Sequence, residues 1–102
     1  MPKFLAVHPL LSSASLEEIV LIGKMVKAYE TVDVCWVCSW CQLDDKGKII
    51  KILCQWNATN IEAVRKVVAE IPVPTEGVYS MTIMDAEDFS YYSNLKLFNI
   101  PL

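Results

Sequence analysis

The sequence has a single histidine and only three glycines, and its basic residues are outnumbered by its acidic ones. The glycines stand apart from one another, so no glycine-rich loop that could cradle a phosphate is present. Nine Lys and Arg against 12 Asp and Glu give a net charge of -3, which disfavours nonspecific attraction to phosphate backbones and anionic lipids. We therefore expect neither nucleic acid nor a membrane surface as a partner.

Long apolar runs are missing as well. A stretch such as 19–23 is far shorter than the ~20 residues that a bilayer-spanning helix needs. The N-terminal residues show no apolar block of secretory length and no small-residue cleavage pattern. With 102 residues, of which 54% are hydrophobic and 21% charged, the chain is long and apolar enough to close a hydrophobic core. These features predict a soluble, cytoplasmic, globular protein.

Hydrophobic periodicity predicts four strands and two helices in the order βαββαβ. The predicted strands span residues 3–9, 32–43, 48–56 and 77–84. A compact turn at 44–47 joins the middle two strands into a hairpin. The first helix is predicted to begin at Leu16, after a capping box formed by Ser15 and Glu18, and the second follows another box at 59–62.

This order of elements predicts a ferredoxin-like α+β sandwich, a four-stranded antiparallel sheet with both helices on one face. The second and third strands are apolar on both faces, so the face that the helices leave open needs a cover. A second copy of the chain supplies one, and we predict a homodimer through the open sheet face. The predicted domain spans 1–85, and the tail at 86–102 is predicted to dock on its own sheet or on the partner.

Three of the four cysteines form a C-x2-C-x2-C pattern at Cys35, Cys38 and Cys41, and Cys54 is available as a fourth thiolate. On a regular strand Cys38 points away from the other two, which are ~20 Å apart at ~3.3 Å per residue. That geometry argues against an iron–sulfur or zinc site, and against a disulfide among the three. It favours buried, reduced cysteines. Whether Cys38 and Cys54 share a face depends on the length of the hairpin loop and stays open.

The single histidine, His8, lies at the end of the first predicted strand. An imidazole there suits a metal ligand or a general base, and equally a capped or solvated ring. No Ser-His-Asp or Cys-His pairing can be placed from the sequence. Trp36, Trp40 and Trp56 all fall in the hairpin, with the first two predicted on one face. Such indoles indicate a core or dimer interface, or the wall of a small-molecule cleft between sheet and tail.

Several short segments together carry a family resemblance. They are Met-Pro-Lys-Phe-Leu-Ala-Val-His-Pro at 1–9, the strand 34–40 with Ser39, the strand leading to Cys54, the helix entry at 57–64 and the Ile-Pro step at 71–72. These segments resemble the small nickel-binding ferredoxin-like proteins and their uncharacterised bacterial and archaeal relatives. The resemblance covers about residues 1–85 and implies a sandwich that dimerises. In some members it also implies a metal bound by histidine and cysteine side chains.

Carried over by position, the resemblance implies His8 and Cys54 as ligands of nickel or another transition metal. Nickel-binding members carry further histidines in their helices, whereas residues 23–27 and 64–68 contain none here. Two protein ligands rarely hold such a metal unless a dimer doubles them. The leading hypothesis is a dimeric module that binds a transition metal or a small ligand. The alternatives are a small cofactor-free enzyme of the dimeric α+β barrel type and a purely structural or interaction protein.

Overall fold

Strands and helices follow one another in the predicted order in a computed structural model, which describes residues 1–89. The strands are β1 (Lys3–Ala14), β2 (Val34–Leu43), β3 (Ile49–Ala58) and β4 (Gly77–Met81). The helices are α1 (Leu16–Ala28) and α2 (Ile61–Val68), and a single 3-10 turn follows at Ala86–Asp88. Within residues 1–89, neither helix has the length and apolar character needed to cross a membrane.

All four strands form one antiparallel sheet in the spatial order β2-β3-β1-β4. Val26 of α1 and Val64 of α2 belong to one core cluster with Phe4, Cys54 and Trp56 of the sheet. Because those sheet residues lie on one face, both helices cover that face. The α+β architecture, the four-stranded antiparallel sheet and the two helices are therefore confirmed, and the arrangement is consistent with the ferredoxin-like sandwich.

Local signals fix where the helices begin. At α1 the Ser15 hydroxyl accepts a hydrogen bond from the backbone amide of Glu18, and the Glu18 carboxylate accepts one from the backbone amide of Ser15. These two bonds confirm the predicted capping box. At α2 the predicted box beginning at Thr59 is wrong. The N-cap is Asn60, whose side-chain oxygen accepts the amide of Ala63 at 2.9 Å. The Asn60 side chain thus caps the helix by itself, without a glutamate carboxylate that bonds back to the N-cap amide as in a capping box.

β1 continues past Pro9, where the sequence predicts its end, to Ala14. The Val7 carbonyl accepts the amide of Glu76 on the side of β4. Since backbone groups alternate along a strand, the nitrogen of Pro9 faces the same side. β4 pairs with β1 only as far as Val7, so the missing proline N–H costs no ladder bond. Proline therefore does not end this strand.

An extra residue in β2 changes which side chains face the helices. Trp36 and Cys38 pair with consecutive residues of β3, so Val37 forms a bulge. A one-residue shift moves every later side chain to the other face of the sheet. Trp36 and Trp40 consequently lie on opposite faces, and the prediction that they share one is wrong.

The same bulge decides where the cysteines lie. Cys35 and Cys38 are on the open sheet face, the face away from the helices, whereas Cys41 and Cys54 are on the helix-covered face. The predicted grouping of Cys35 with Cys41 is therefore wrong, and Cys38 does not share a face with Cys54. All four cysteines are free thiols. Because the sheet separates Cys41 from Cys35 and Cys38, these three sulfurs do not converge on one cluster.

The open sheet face combines exposed and buried side chains. Trp40 is 50% and Tyr79 47% exposed there, while Val7 and Gln55 on the same face are buried. Both indole and phenol are apolar enough to favour a partner surface. The homodimer through this face stays a prediction. So does docking of the tail predicted at 86–102, because residues 90–102 lie outside the described residues.

Candidate functional site

A cavity of about 370 Å³ lies between α1 and the helix-covered sheet face, and we call it the His8 cavity. Its apolar walls include Ile19 and Ile22 of α1, Trp36 of β2 and Ile52 of β3. An engineered apolar cavity of about 150 Å³ already accepts benzene, and small-molecule sites generally measure about 300–1,000 Å³. The His8 cavity therefore has room for a molecule larger than a single aromatic ring.

The sheet register places the two residues named from the family resemblance next to each other in one wall. His8 pairs with Ile52, and Ala6 pairs with Cys54. His8 and Cys54 are thus diagonal neighbours on the covered face, and both line the His8 cavity. The wall of this cavity opposite the sheet is α1. The small-molecule cleft predicted between sheet and tail stays a prediction, because residues 90–102 lie outside the described residues.

The two ring nitrogens of His8 have different surroundings. The side chain is 1% exposed, and Nδ1 lies 3.1 Å from the Pro74 carbonyl oxygen and 3.2 Å from Thr75 Oγ1. A carbonyl oxygen only accepts, so Nδ1 carries the ring proton and donates it to Pro74. Nε2 is then the unprotonated nitrogen, and it is buried with no hydrogen-bond partner among residues 1–89.

Burial lowers the pKa of His8 below its ordinary value, and the opposing effect of the Pro74 carbonyl is smaller. The imidazole is therefore neutral near pH 7, and its Nε2 lone pair accepts no hydrogen bond from the described residues. In this tautomer the unprotonated Nε2 is the ring atom that can accept a hydrogen bond from a hydroxyl or amide group.

A short chain of hydrogen bonds leads from Trp36 to Cys54. The Trp36 indole N–H donates to Ser39 Oγ at 2.9 Å, and the Ser39 hydroxyl donates to Cys54 Sγ at 3.1 Å. Burial raises the pKa of the Cys54 thiol, which outweighs the opposite effect of the Ser39 hydrogen bond. Burial likewise raises the pKa of the Cys41 thiol. Both sulfurs are therefore protonated near neutral pH, and neither is an activated nucleophile.

The residues of the His8 cavity do not make a complete metal site within one chain. His8 Nε2 and Cys54 Sγ are two donors, and ligation would require the buried thiol to lose its proton. Within the described part of the chain, no group of three or more His, Cys, Asp or Glu side chains could hold a metal ion. Nickel or another transition metal therefore does not fit the residues present in a single copy.

Several contributors to the cavity were not singled out from the sequence. The segment after α2 supplies Ile71 and Val73 to the lining, and Pro74 and Thr75 as partners of His8. The α1 wall includes Gly23 and Lys24. A Cβ added to Gly23 would lie 3.4 Å from the Trp36 ring, so this glycine marks where α1 comes close to the sheet. A glycine inside a helix costs about 0.5–1 kcal/mol of stability relative to alanine. Gly23 is therefore the signal in the sequence that another part of the structure packs closely against this face of α1.

Comparison with known proteins supports the fold and gives no information about the function. The structure is similar to the crystal structure of SCO4226 from Streptomyces coelicolor A3(2), with a TM-score of 0.66 and 14% sequence identity over 81% of this chain and 99% of that chain. At this identity the similarity shows the fold alone. No protein-family model matches the chain, and no curated protein matches it.

Proposed function

We propose that this protein binds a small, mostly apolar molecule in the His8 cavity, through a ligand donor group that hydrogen-bonds to His8 Nε2. The observation that carries the proposal is a buried, neutral imidazole in the wall of an apolar cavity, whose Nε2 has no hydrogen-bond partner among residues 1–89. A buried polar atom without a partner costs about 1–3 kcal/mol. A ligand hydroxyl or amide that fills this position recovers part of that cost.

The walls of the His8 cavity support the same class of ligand. Ile19 and Ile22 of α1 are only partly buried, although both pack against the core cluster. Small-molecule sites are mostly apolar, with a few polar groups that fix the orientation of the ligand. A ligand between α1 and Trp36 would bury the apolar surface that the core leaves uncovered, and Nε2 would set its orientation.

The transition-metal hypothesis has less support, because one chain offers two donors and the thiol is protonated. Elemental analysis of untagged protein, purified without chelator, distinguishes the two hypotheses. We expect nickel, zinc and iron well below half an equivalent per chain. About half an equivalent of metal per chain that disappears in both His8→Ala and Cys54→Ala would replace the small-molecule proposal with a metal site shared between two copies.

The donor requirement is tested with two matched probes on the unmodified protein. In para-ethylphenol a hydroxyl can donate to Nε2, whereas in para-ethylanisole a methyl group replaces that proton. We expect para-ethylphenol to bind about two- to tenfold more tightly by calorimetry or thermal shift, since one hydrogen bond is worth about 0.5–1.5 kcal/mol. Equal affinity of the two probes, or no binding of either, would contradict the proposal.

His8→Phe is the matched variant, because it retains a planar ring and removes the acceptor. His8→Phe should bind both probes with equal affinity, because the apolar walls still contact the aromatic ring of each probe. If His8→Phe does not fold, Thr75→Val provides a second variant that leaves Nε2 in place. It should retain the preference for the phenol, because the Thr75 hydroxyl hydrogen-bonds to Nδ1 and not to Nε2.

The cofactor-free enzyme is the second candidate, and the same Nε2 favours it, because an unprotonated imidazole can act as a general base. The partners of Nδ1 are a carbonyl and a hydroxyl instead of a carboxylate, so His8 lacks the orienting acid of a Ser-His-Asp set. Turnover of a bound phenol that is lost in His8→Phe would establish this candidate.

A further inference from the structure

The mouth of the His8 cavity differs in charge from the chain as a whole. Lys24 and Lys27 line it from α1 and both are exposed, whereas no Asp or Glu is among the lining residues in the described part of the chain. The complete sequence carries a net charge of -3. A cationic mouth above an apolar interior is therefore a local feature that the composition does not predict.

The two lysines are not equivalent. Lys27 Nζ lies 2.9 Å from Glu30 Oε2, so a carboxylate already accompanies its charge. The ion pairs found within residues 1–89 do not include Lys24. Among residues 1–89, Lys24 is thus the lining lysine whose charge has no carboxylate partner.

We infer that the ligand is a small hydroxy-carboxylate, an aryl or alkyl acid whose carboxylate lies at Lys24 and whose hydroxyl donates to His8 Nε2. The inference rests on the proposed function and adds the charge and the orientation of the ligand. The rest of the cavity lining is predominantly apolar and includes Ile22 and Trp36. The ligand therefore needs an apolar body between its hydroxyl and its carboxylate.

The orientation follows from the different burial of the two contacts. A carboxylate at the deep end would lose its water next to a neutral imidazole, which is strongly unfavourable. At the mouth it keeps part of its hydration and lies near the exposed Lys24 ammonium. A hydroxyl, in contrast, loses little at the deep end because it donates a hydrogen bond to His8 Nε2. The same charge at the mouth disfavours amines, which Lys24 repels.

The test compares para-hydroxyphenylpropionate with its primary amide, which has the same body and hydroxyl without the negative charge. Ion pairs with exposed lysines are weak, so we expect the acid to bind about two- to fivefold more tightly at low ionic strength. Because exposed charges are screened by salt, this preference should fall towards unity in about 1 M sodium chloride. Calorimetry on the full chain gives both dissociation constants.

Two charge-matched variants locate the contact. Lys24→Gln should remove the preference for the acid and leave the affinity for the amide unchanged. Lys66→Gln makes the same change on the exposed surface of α2, away from the cavity, and should keep the preference. A preference that survives Lys24→Gln would overturn the assignment of the carboxylate to this lysine.

The outcomes separate this inference from the proposed function. If acid and amide bind equally while para-ethylphenol still binds more tightly than para-ethylanisole, the charged contact is wrong and the small-molecule site stands. If the phenol shows no preference over the anisole, the hydroxyl contact with His8 is wrong, and both proposals are overturned together.

Discussion

The Ser39 hydroxyl donates a hydrogen bond to the Cys54 sulfur at 3.1 Å across the β2–β3 pair. This contact exists because Val37 forms a bulge. Without the extra residue Ser39 would face away from the helices, and Cys38 would take its place beside Cys54. The single bulged residue in β2 thus decides whether a hydroxyl or a thiol lies beside Cys54 in this wall of the His8 cavity.

Ser39→Ala should destabilise the protein by about 1–3 kcal/mol, because it leaves the Trp36 indole N–H without its acceptor. Ser39→Thr keeps the hydroxyl and has a high strand propensity, so its unfolding free energy should be close to that of the unmodified chain. Urea denaturation followed by tryptophan fluorescence measures both variants. Equal stability of the alanine and threonine variants would mean that the Ser39 hydroxyl does not stabilise the folded protein.

Stability should decrease as the pH falls below 6.5, the ordinary pKa of a histidine. Burial lowers the pKa of His8 in the folded state, so in this range the unfolded chain binds a proton that the folded chain does not. The contribution of the neutral imidazole is complete above pH 6.5 and is lost as the pH approaches the folded-state pKa.

His8 is the single histidine of the chain, so one variant isolates its titration. Urea midpoints at about pH 7.5 and about pH 5.5 should differ for the unmodified protein and nearly coincide for His8→Phe. An unchanged pH dependence in His8→Phe would assign the effect to another group.

Gly23→Ala should stabilise the protein by about 0.5–1 kcal/mol, because alanine is the better helix former. The added Cβ would meet the Trp36 ring at 3.4 Å, which is ordinary contact. Gly47→Ala is the contrasting variant, since Gly47 has φ of 78° in the hairpin turn, and alanine there should destabilise by about 1–2 kcal/mol. Thermal unfolding should therefore shift in opposite directions for the two variants.

The predicted homodimer is tested by placing a charge on the open sheet face. Trp40→Glu should convert a dimer to a monomer, as measured by light scattering, because a buried carboxylate opposes packing of sheet against sheet. Val32→Glu places the same charge at a side chain that is 89% exposed and lies outside the sheet, and should leave the mass unchanged. A monomeric unmodified protein would contradict the dimer directly.

Local sequence patterns were sufficient for most of the fold. The capping box at Ser15 and the turn ending at Gly47 are determined by residues a few positions apart, and both appear where the sequence predicts them. The end of β1 was misplaced because the effect of Pro9 depends on how far β4 extends beside it. That extent is a tertiary property, which periodicity along β1 does not contain.

The candidate site was harder to predict, because its parts meet only in three dimensions. The family resemblance selected His8 and Cys54, and the β1–β3 register makes them neighbours. The reversal of β2 after Val37 has no signal in its own alternation, since both faces of that strand are apolar or aromatic. The pattern therefore predicted the wrong face for every side chain beyond the bulge.

The sequence by itself determined the elements, their order and the sheet that they form, because capping, turn chemistry and hydrophobic periodicity act over short stretches of chain. Tertiary structure alone decided that Nδ1 of His8 is hydrogen-bonded to Pro74 and that Nε2 has no partner in the described part of the chain. It also decided that α1 encloses a cavity against the sheet. Burial and pairing depend on residues that are distant in the chain, and these set the protonation state and the free lone pair on which the proposed chemistry depends.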